Sequence, residues 1–110
     1  MNKVILSGYV GRDPQMRMVD QSRVAEFSLA TTERRRGRDA QGNEVDMPEI
    51  TEWHRIVMWG RSAEFAENFI RKGSHLLVEG RLRTRKWTDR NAIERTITEI
   101  HVDTFELMPK

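Results

Sequence analysis

Between Thr51 and Gly60 the chain reads Thr-Glu-Trp-His-Arg-Ile-Val-Met-Trp-Gly. With the period of two that a strand imposes, Trp53, Arg55, Val57 and Trp59 share one face, and His54, Ile56 and Met58 the other. Bare indole is costly to leave in water, and a core would have no use for Arg55. A flat, charged partner with π-faces of its own suits all three, and a single-stranded nucleic acid is such a partner. The same residues also fit a core strand from whose edge Arg55 snorkels. This stretch alone leaves both readings open.

A second stretch repeats the theme. From Ser74 to Trp87, Leu76, Val78, Gly80 and Leu82 fall on one side, and Glu79, Arg81, Arg83, Arg85 and Trp87 on the other. Arginines in register on one face repel each other unless an anion lies across them. A third cationic group, Arg34, Arg35, Arg36 and Arg38, lies in the run Glu33 to Glu49, which has two glycines and no period. That run is expected to be a long mobile loop. Its arginines would suit phosphate, although Asp39, Glu44, Asp46 and Glu49 partly cancel their charge.

The elements that must position these groups follow from pattern. Asn2 to Tyr9 reads as a strand with aliphatic residues on both faces, hence buried on both. Gly11-Arg12-Asp13-Pro14 is a turn, Gln15 to Val19 a short strand, Asp20-Gln21-Ser22 a turn, and Val24 to Thr32 a strand. After the tryptophan strand comes one helix of about three turns. Ser62 is its expected N-cap, Gly73 its C-cap glycine, and Arg71 and Lys72 lie in its last turn. Ala63, Ala66, Phe69 and Ile70 recur along it at helical spacing, with Phe65 beside them. Thr88-Asp89-Arg90-Asn91 is a turn, and Ala92 to Leu107 the final strand, with a bulge or bend expected between Ile97 and Ile100. The first two strand segments can be one bent strand. The order then predicts an all-β fold, a five-stranded OB-fold barrel with one α-helix between the third and fourth strands. It forms a single domain over residues 1–108, with 109–110 as terminal residues.

Composition narrows the class. The 110 residues suit one modest core. Nineteen Lys+Arg against seventeen Asp+Glu give a net charge of +2, so the clustering of cations says more than their sum. Without cysteine, disulfides, zinc ribbons and thiol chemistry are excluded. No apolar run approaches a membrane span and no signal pattern opens the chain, so no membrane partner is expected. His54, His75 and His101 are far apart, and no metal, nucleophile or paired-carboxylate spacing stands out. The reading is therefore no enzyme and no cofactor.

Four motifs together resemble the bacterial single-stranded DNA-binding protein family: Asn2-Lys3-Val4-Ile5-Leu6 with Gly11-Arg12-Asp13-Pro14; Leu29-Ala30-Thr31-Thr32; Thr51-Glu52-Trp53-His54-Arg55; and Gly80-Arg81-Leu82-Arg83-Thr84-Arg85-Lys86-Trp87-Thr88-Asp89. The helix end Arg71-Lys72-Gly73-Ser74 also fits, and the match runs from about Asn2 to Met108. The resemblance implies a homotetrameric OB-fold protein that coats single-stranded DNA in replication, recombination and repair, in the bacterial cytoplasm at the nucleoid. Bases would stack on Trp53, Trp59 and Trp87. Phosphates would meet Arg55, Arg83, Arg85, Lys86 and Lys72, with Lys3 and Arg17 as further candidates, and His54 would lie at the tetramer interface. Trp59 stands where many relatives carry Phe. Arg34-Arg35-Arg36 stands where some carry a stacking Trp, and a guanidinium plane can stack in its place. The family usually continues into a tail with an acidic, hydrophobic tip. The sequence ends at Lys110 without one, so replication and repair proteins are expected as partners only if such a tail exists in the native protein. From the residues alone, an RNA-binding or protein-interaction OB module remains the alternative, since stacking tolerates either sugar.

Overall fold

The computed structural model describes residues 1–109. Its elements are β1 (Val4–Val10), β2 (Gln15–Val19), β3 (Ser22–Arg38), β4 (Glu44–Trp59), α1 (Arg61–Phe69), β5 (His75–Thr88) and β6 (Glu94–Met108). The strands pair in the order β1-β5-β6-β4-β3. The ring closes where Tyr9 and Val10 of β1 meet Ala30 and Leu29 of β3. β2 continues along the same edge of β3, from Gln15 opposite Glu26 to Val19 opposite Ser22. β1 and β2 thus act as one strand bent at Gly11–Pro14, and the helix stands between the third and fourth strands on that count. A closed five-stranded barrel with one helix is the OB plan.

Leu29, Ile56, Met58, Leu76, Val78 and Ile100 fill the barrel, and Ala63, Ala66 and Ile70 from the helix region pack on them. Cutting one of these large side chains to Ala would cost about 2–5 kcal/mol. The barrel is not the whole molecule. Its radius of gyration is 17.2 Å, against about 13 Å for a compact domain of this length. Two hairpins, β3–β4 and β5–β6, account for the excess. β4 and β6 run parallel and pair only at Ile56–Ile100 and Val57–His101. Beyond that point the two arms part and project from the barrel.

Four expectations are corrected here. The run Glu33–Glu49 is not a long loop: β3 continues to Arg38 and β4 starts at Glu44, leaving only a tight turn. Pro48 disguised this strand. It lies in the register shift between the Glu33–Ile50 and Arg35–Met47 pairs, where β4 has an extra residue and a missing N–H costs little. β1 is buried on one side only, with Ile5 and Tyr9 exposed. The helix begins after Gly60 (φ 60°), with no side-chain cap from Ser62, and ends at Phe69. Arg71 lies beyond it but still donates from Nη1 to the carbonyls of Glu67 and Ile70, and Phe69 faces solvent. Finally, the bulge in β6 falls at Asp103, opposite the Glu79/Gly80 step. Ile97 and Ile100 simply lie on opposite faces.

Candidate nucleic-acid interface

The outer face of β2-β3-β4-β6-β5 carries the site. In β4, Trp53 lies opposite Ala30, Arg55 opposite Ser28, Val57 opposite Glu26 and Trp59 opposite Val24. Across the β4–β6 seam Val57 meets His101, and in the second arm Arg83 lies opposite Glu99 and Trp87 opposite Arg95. Trp53 and Trp87 therefore stand on different arms, tipward of the seam, whereas Trp59 lies on the barrel side of it. All three indoles reach solvent, with Trp53 61% exposed, Trp59 40% and Trp87 43%. This removes the core reading of the tryptophans. Val57, on the same face, is buried and forms part of the floor.

Trp53 has a built seat. A Cβ on Gly11 would come within 2.5 Å of its Cζ3, so the indole lies flush against the turn that joins β1 to β2. Beside it opens a cleft of about 330 Å³ between Arg12 and Asp13 of that turn, Glu26 and Ser28 of β3, and Trp53 and Arg55 of β4. One wall is an aromatic plane, and Arg12, Asp13, Glu26, Arg55 and Ser28 offer charged and hydroxyl groups around it, a setting in which a base can stack while its backbone stays wet.

At the seam sits a cluster that sequence reading missed. Glu99 is 2% exposed. It accepts from Arg55 Nε at 3.0 Å, from Arg85 Nε and Nη2 at 3.2 and 3.3 Å and from His101 Nε2 at 3.3 Å. Burial pushes its carboxyl up, but the hydrogen bonds from Arg85, His101 and Arg55 outweigh this and hold it below the ordinary carboxylate value. Arg55 also donates from Nη2 to Glu26 Oε2 at 2.7 Å, and Arg17 Nε donates to Glu26 Oε1 at 2.9 Å. Trp59 joins the cluster through its Nε1–H, 3.1 Å from His101 Nδ1. An indole N–H can only donate, so His101 accepts at Nδ1 and carries its proton at Nε2, toward Glu99. No motif announces Glu99 or His101; only the strand pairing brings them under Trp59 and Arg55.

The remaining expected contacts divide. Arg83 and Lys72 are exposed and, among the described residues, have no ion-pair partner. The backbone N–H of Lys72 donates to Asp13 Oδ1 at 2.8 Å, which ties it to the cleft. Lys86 falls on the opposite face of the second arm, 3.2 Å from Glu94. Lys3 pairs with Glu79 on the outside of β1 and β5. Arg34 and Arg36 continue the phase of Ser28 and Ala30 along the first arm, with Glu49, Glu44 and Asp46 at 3.6–3.8 Å. Arg35 lies across from Met47. His54 points away from the tryptophan face and its Nε2 is 2.8 Å from Thr31 Oγ1.

Comparison with known proteins identifies the family. The sequence model of the single-strand binding protein family matches residues 1–108. Among solved structures, a Plasmodium falciparum SSB in complex with ssDNA superposes with a TM-score of 0.80 at 35% identity, covering 98% of this chain and 93% of that one. The chain belongs to the single-strand binding protein family.

Proposed function

We infer that this protein binds single-stranded DNA without sequence preference, coating and protecting it during replication, recombination and repair. It acts as a binding protein and not an enzyme. The observation that carries the reading is the single outer face on which three solvent-exposed indoles surround a cationic seam. Bases stack on Trp53, Trp59 and Trp87, each worth about 1–3 kcal/mol, and cations along the arms and at the cleft meet phosphates. Trp53 and Trp59 lie six residues apart on one strand, about 20 Å, so they meet different nucleotides.

The assembled form in this reading is a homotetramer. Two features support self-association. Residues 4–8 of β1 pair with β5 on one edge and, among the described residues, have no partner strand on the other, and open edges invite pairing. The adjoining surface exposes Ile5 and Tyr9, the latter stacked on His75 at 4.6 Å between ring centroids. Among the described residues, no helix is long and apolar enough to cross a membrane. In this reading, which follows the resemblance to the bacterial family, the protein works in the cytoplasm at the nucleoid.

Titration with matched DNA and RNA oligomers, single- and double-stranded, tests the reading. Strong quenching of tryptophan fluorescence by single-stranded DNA, much weaker binding of duplex, and weakened binding in each Trp→Ala variant are expected. Equal affinity for duplex and single strands refutes it, and tighter binding of RNA reassigns the ligand.

A further inference from the structure

The cationic seam is less cationic than its arginines suggest. Arg17, Arg55 and Arg85 share two carboxylates, Glu26 and Glu99. Three guanidinia against two carboxylates leave one net positive charge where the sequence displays three. Arg55 and Arg85 each spend N–H groups on Glu99, which is almost wholly buried and cannot turn to water for compensation, so a phosphate there meets guanidinia already engaged and largely neutralised. Arg83, one residue pair away on the same face, has no such partner among the described residues. Glu99 also reaches Trp59. His101 donates to Glu99 through Nε2 and accepts the indole N–H at Nδ1, with the two rings 29° from parallel. The carboxylate thus fixes the histidine tautomer, and the histidine fixes the indole plane.

We propose that Glu99 is a positioning residue of the DNA-binding face: it sets the plane of Trp59 through His101, and it withholds Arg55 and Arg85 from phosphate, so that Arg83 and Lys72 carry the backbone contacts. The seam is then a place where bases lie and the backbone passes to either side. This rests on the single-stranded DNA reading above. It assigns Arg55 and Arg85 a different part from the phosphate contact that their sequence motif implies.

The test uses salt dependence and a single reporter indole. For single strands each phosphate contact contributes about 0.7 to the slope of log affinity against log salt. Arg83→Gln should lower that slope by about 0.7, Arg85→Gln should lower it by much less, and Glu99→Gln should steepen it by releasing its arginines. Arginine variants on the surface are not expected to unfold the barrel, so this comparison stands even if Glu99→Gln fails to fold. The second readout is a protein in which Trp53 and Trp87 are Phe, leaving Trp59 as sole fluorophore. His101→Phe in that background keeps a ring beside the indole and removes its acceptor. It should lower oligo(dT) affinity about 2- to 10-fold, the span of one lost hydrogen bond, and reduce the quenching at saturation. With Trp59→Phe added, His101→Phe should have no further effect on affinity. The proposal is overturned if Arg85→Gln costs as much slope as Arg83→Gln, or if His101→Phe leaves quenching and affinity at parental values. A parent that neither binds nor is quenched by oligo(dT) overturns the DNA reading and this proposal with it, so the parent's own titration separates the two failures.

Discussion

Gly11→Ala should disable the Trp53 platform without touching the tryptophan. The new methyl carbon would lie 2.5 Å from Cζ3 and 3.1 Å from Cη2 of the indole, well inside the roughly 3.5–4 Å at which carbon atoms attract. Something must move, and the indole is the freer partner, since Trp53 is 61% exposed. Gly11 donates its N–H to the Ser28 carbonyl at 3.0 Å, a bond that alanine keeps. The fold should therefore survive with its melting temperature little changed. Affinity should not survive intact. If the displaced ring no longer meets its base, the loss is bounded by one stacking contact, about 1–3 kcal/mol, or about 5- to 150-fold in Kd. A protein with Trp53 as its only tryptophan, titrated with oligo(dT) at fixed salt, reads affinity and quenching together. Wild-type affinity and quenching in the Gly11→Ala protein would refute the claim that the seat on Gly11 orients Trp53 for stacking.

Three further outcomes are expected. The hairpin tips use the same turn, with Asp39 and Asp89 each accepting two backbone N–H groups at Oδ1, but the left-handed position holds Gly42 in one and Ala92 (φ 62°) in the other. Ala92→Gly should stabilise by about 0.5–1 kcal/mol and Gly42→Ala destabilise by about 1 kcal/mol, read from melting curves. Because Glu99 has a depressed carboxyl value in the fold, its contribution to stability is present above the unfolded value of about 4.3 and is lost as pH falls through the folded value; melting between pH 7 and 3 should show a shallower acid limb in Glu99→Gln. His54→Lys should shift sedimentation toward smaller species on dilution while far-UV circular dichroism keeps the barrel, and an intact tetramer at low concentration would remove His54 from the interface.

The fold was legible where hydrophobic alternation met unambiguous punctuation. Trp53 to Trp59, Leu76 to Leu82 and the helix all gave their type, and Leu76, Val78, Ala63, Ala66 and Ile70 their burial, because a half-buried strand or helix must repeat at its own period. Leu82 and Phe69, on the same apolar phases, lie where the element leaves the core and are exposed. The arms were harder. Outside the barrel both faces of a hairpin are wet, so Arg34 to Arg38 and Glu44 to Glu49 owe nothing to alternation, and their pairing is held by the backbone ladder. β1 misled in the opposite direction. Ile5 and Tyr9 are exposed in the single chain, and an aliphatic residue on a strand reports burial without saying whether its own chain or another copy provides it.

The site was legible as chemistry and illegible as accounting. Indoles and guanidinia declare themselves by type, and a period of two is enough to line up Trp53 with Arg55 or Arg83 with Trp87. Whether a cation is available to a ligand depends on which carboxylate stands across the sheet, and that carboxylate belongs to another strand. Glu99 lies 44 positions from Arg55 and 14 from Arg85, in a stretch that advertises nothing. Arg83 and Arg85 look alike in sequence, two residues apart on one face. Only β6 beside them decides that Arg85 is held by a buried carboxylate while its neighbour reaches solvent without an ion-pair partner among the described residues. A net charge of +2 is then consistent with a face that binds a polyanion, because the face combines exposed indole planes with arginines neutralised across the sheet and a few cations without ion-pair partners among the described residues.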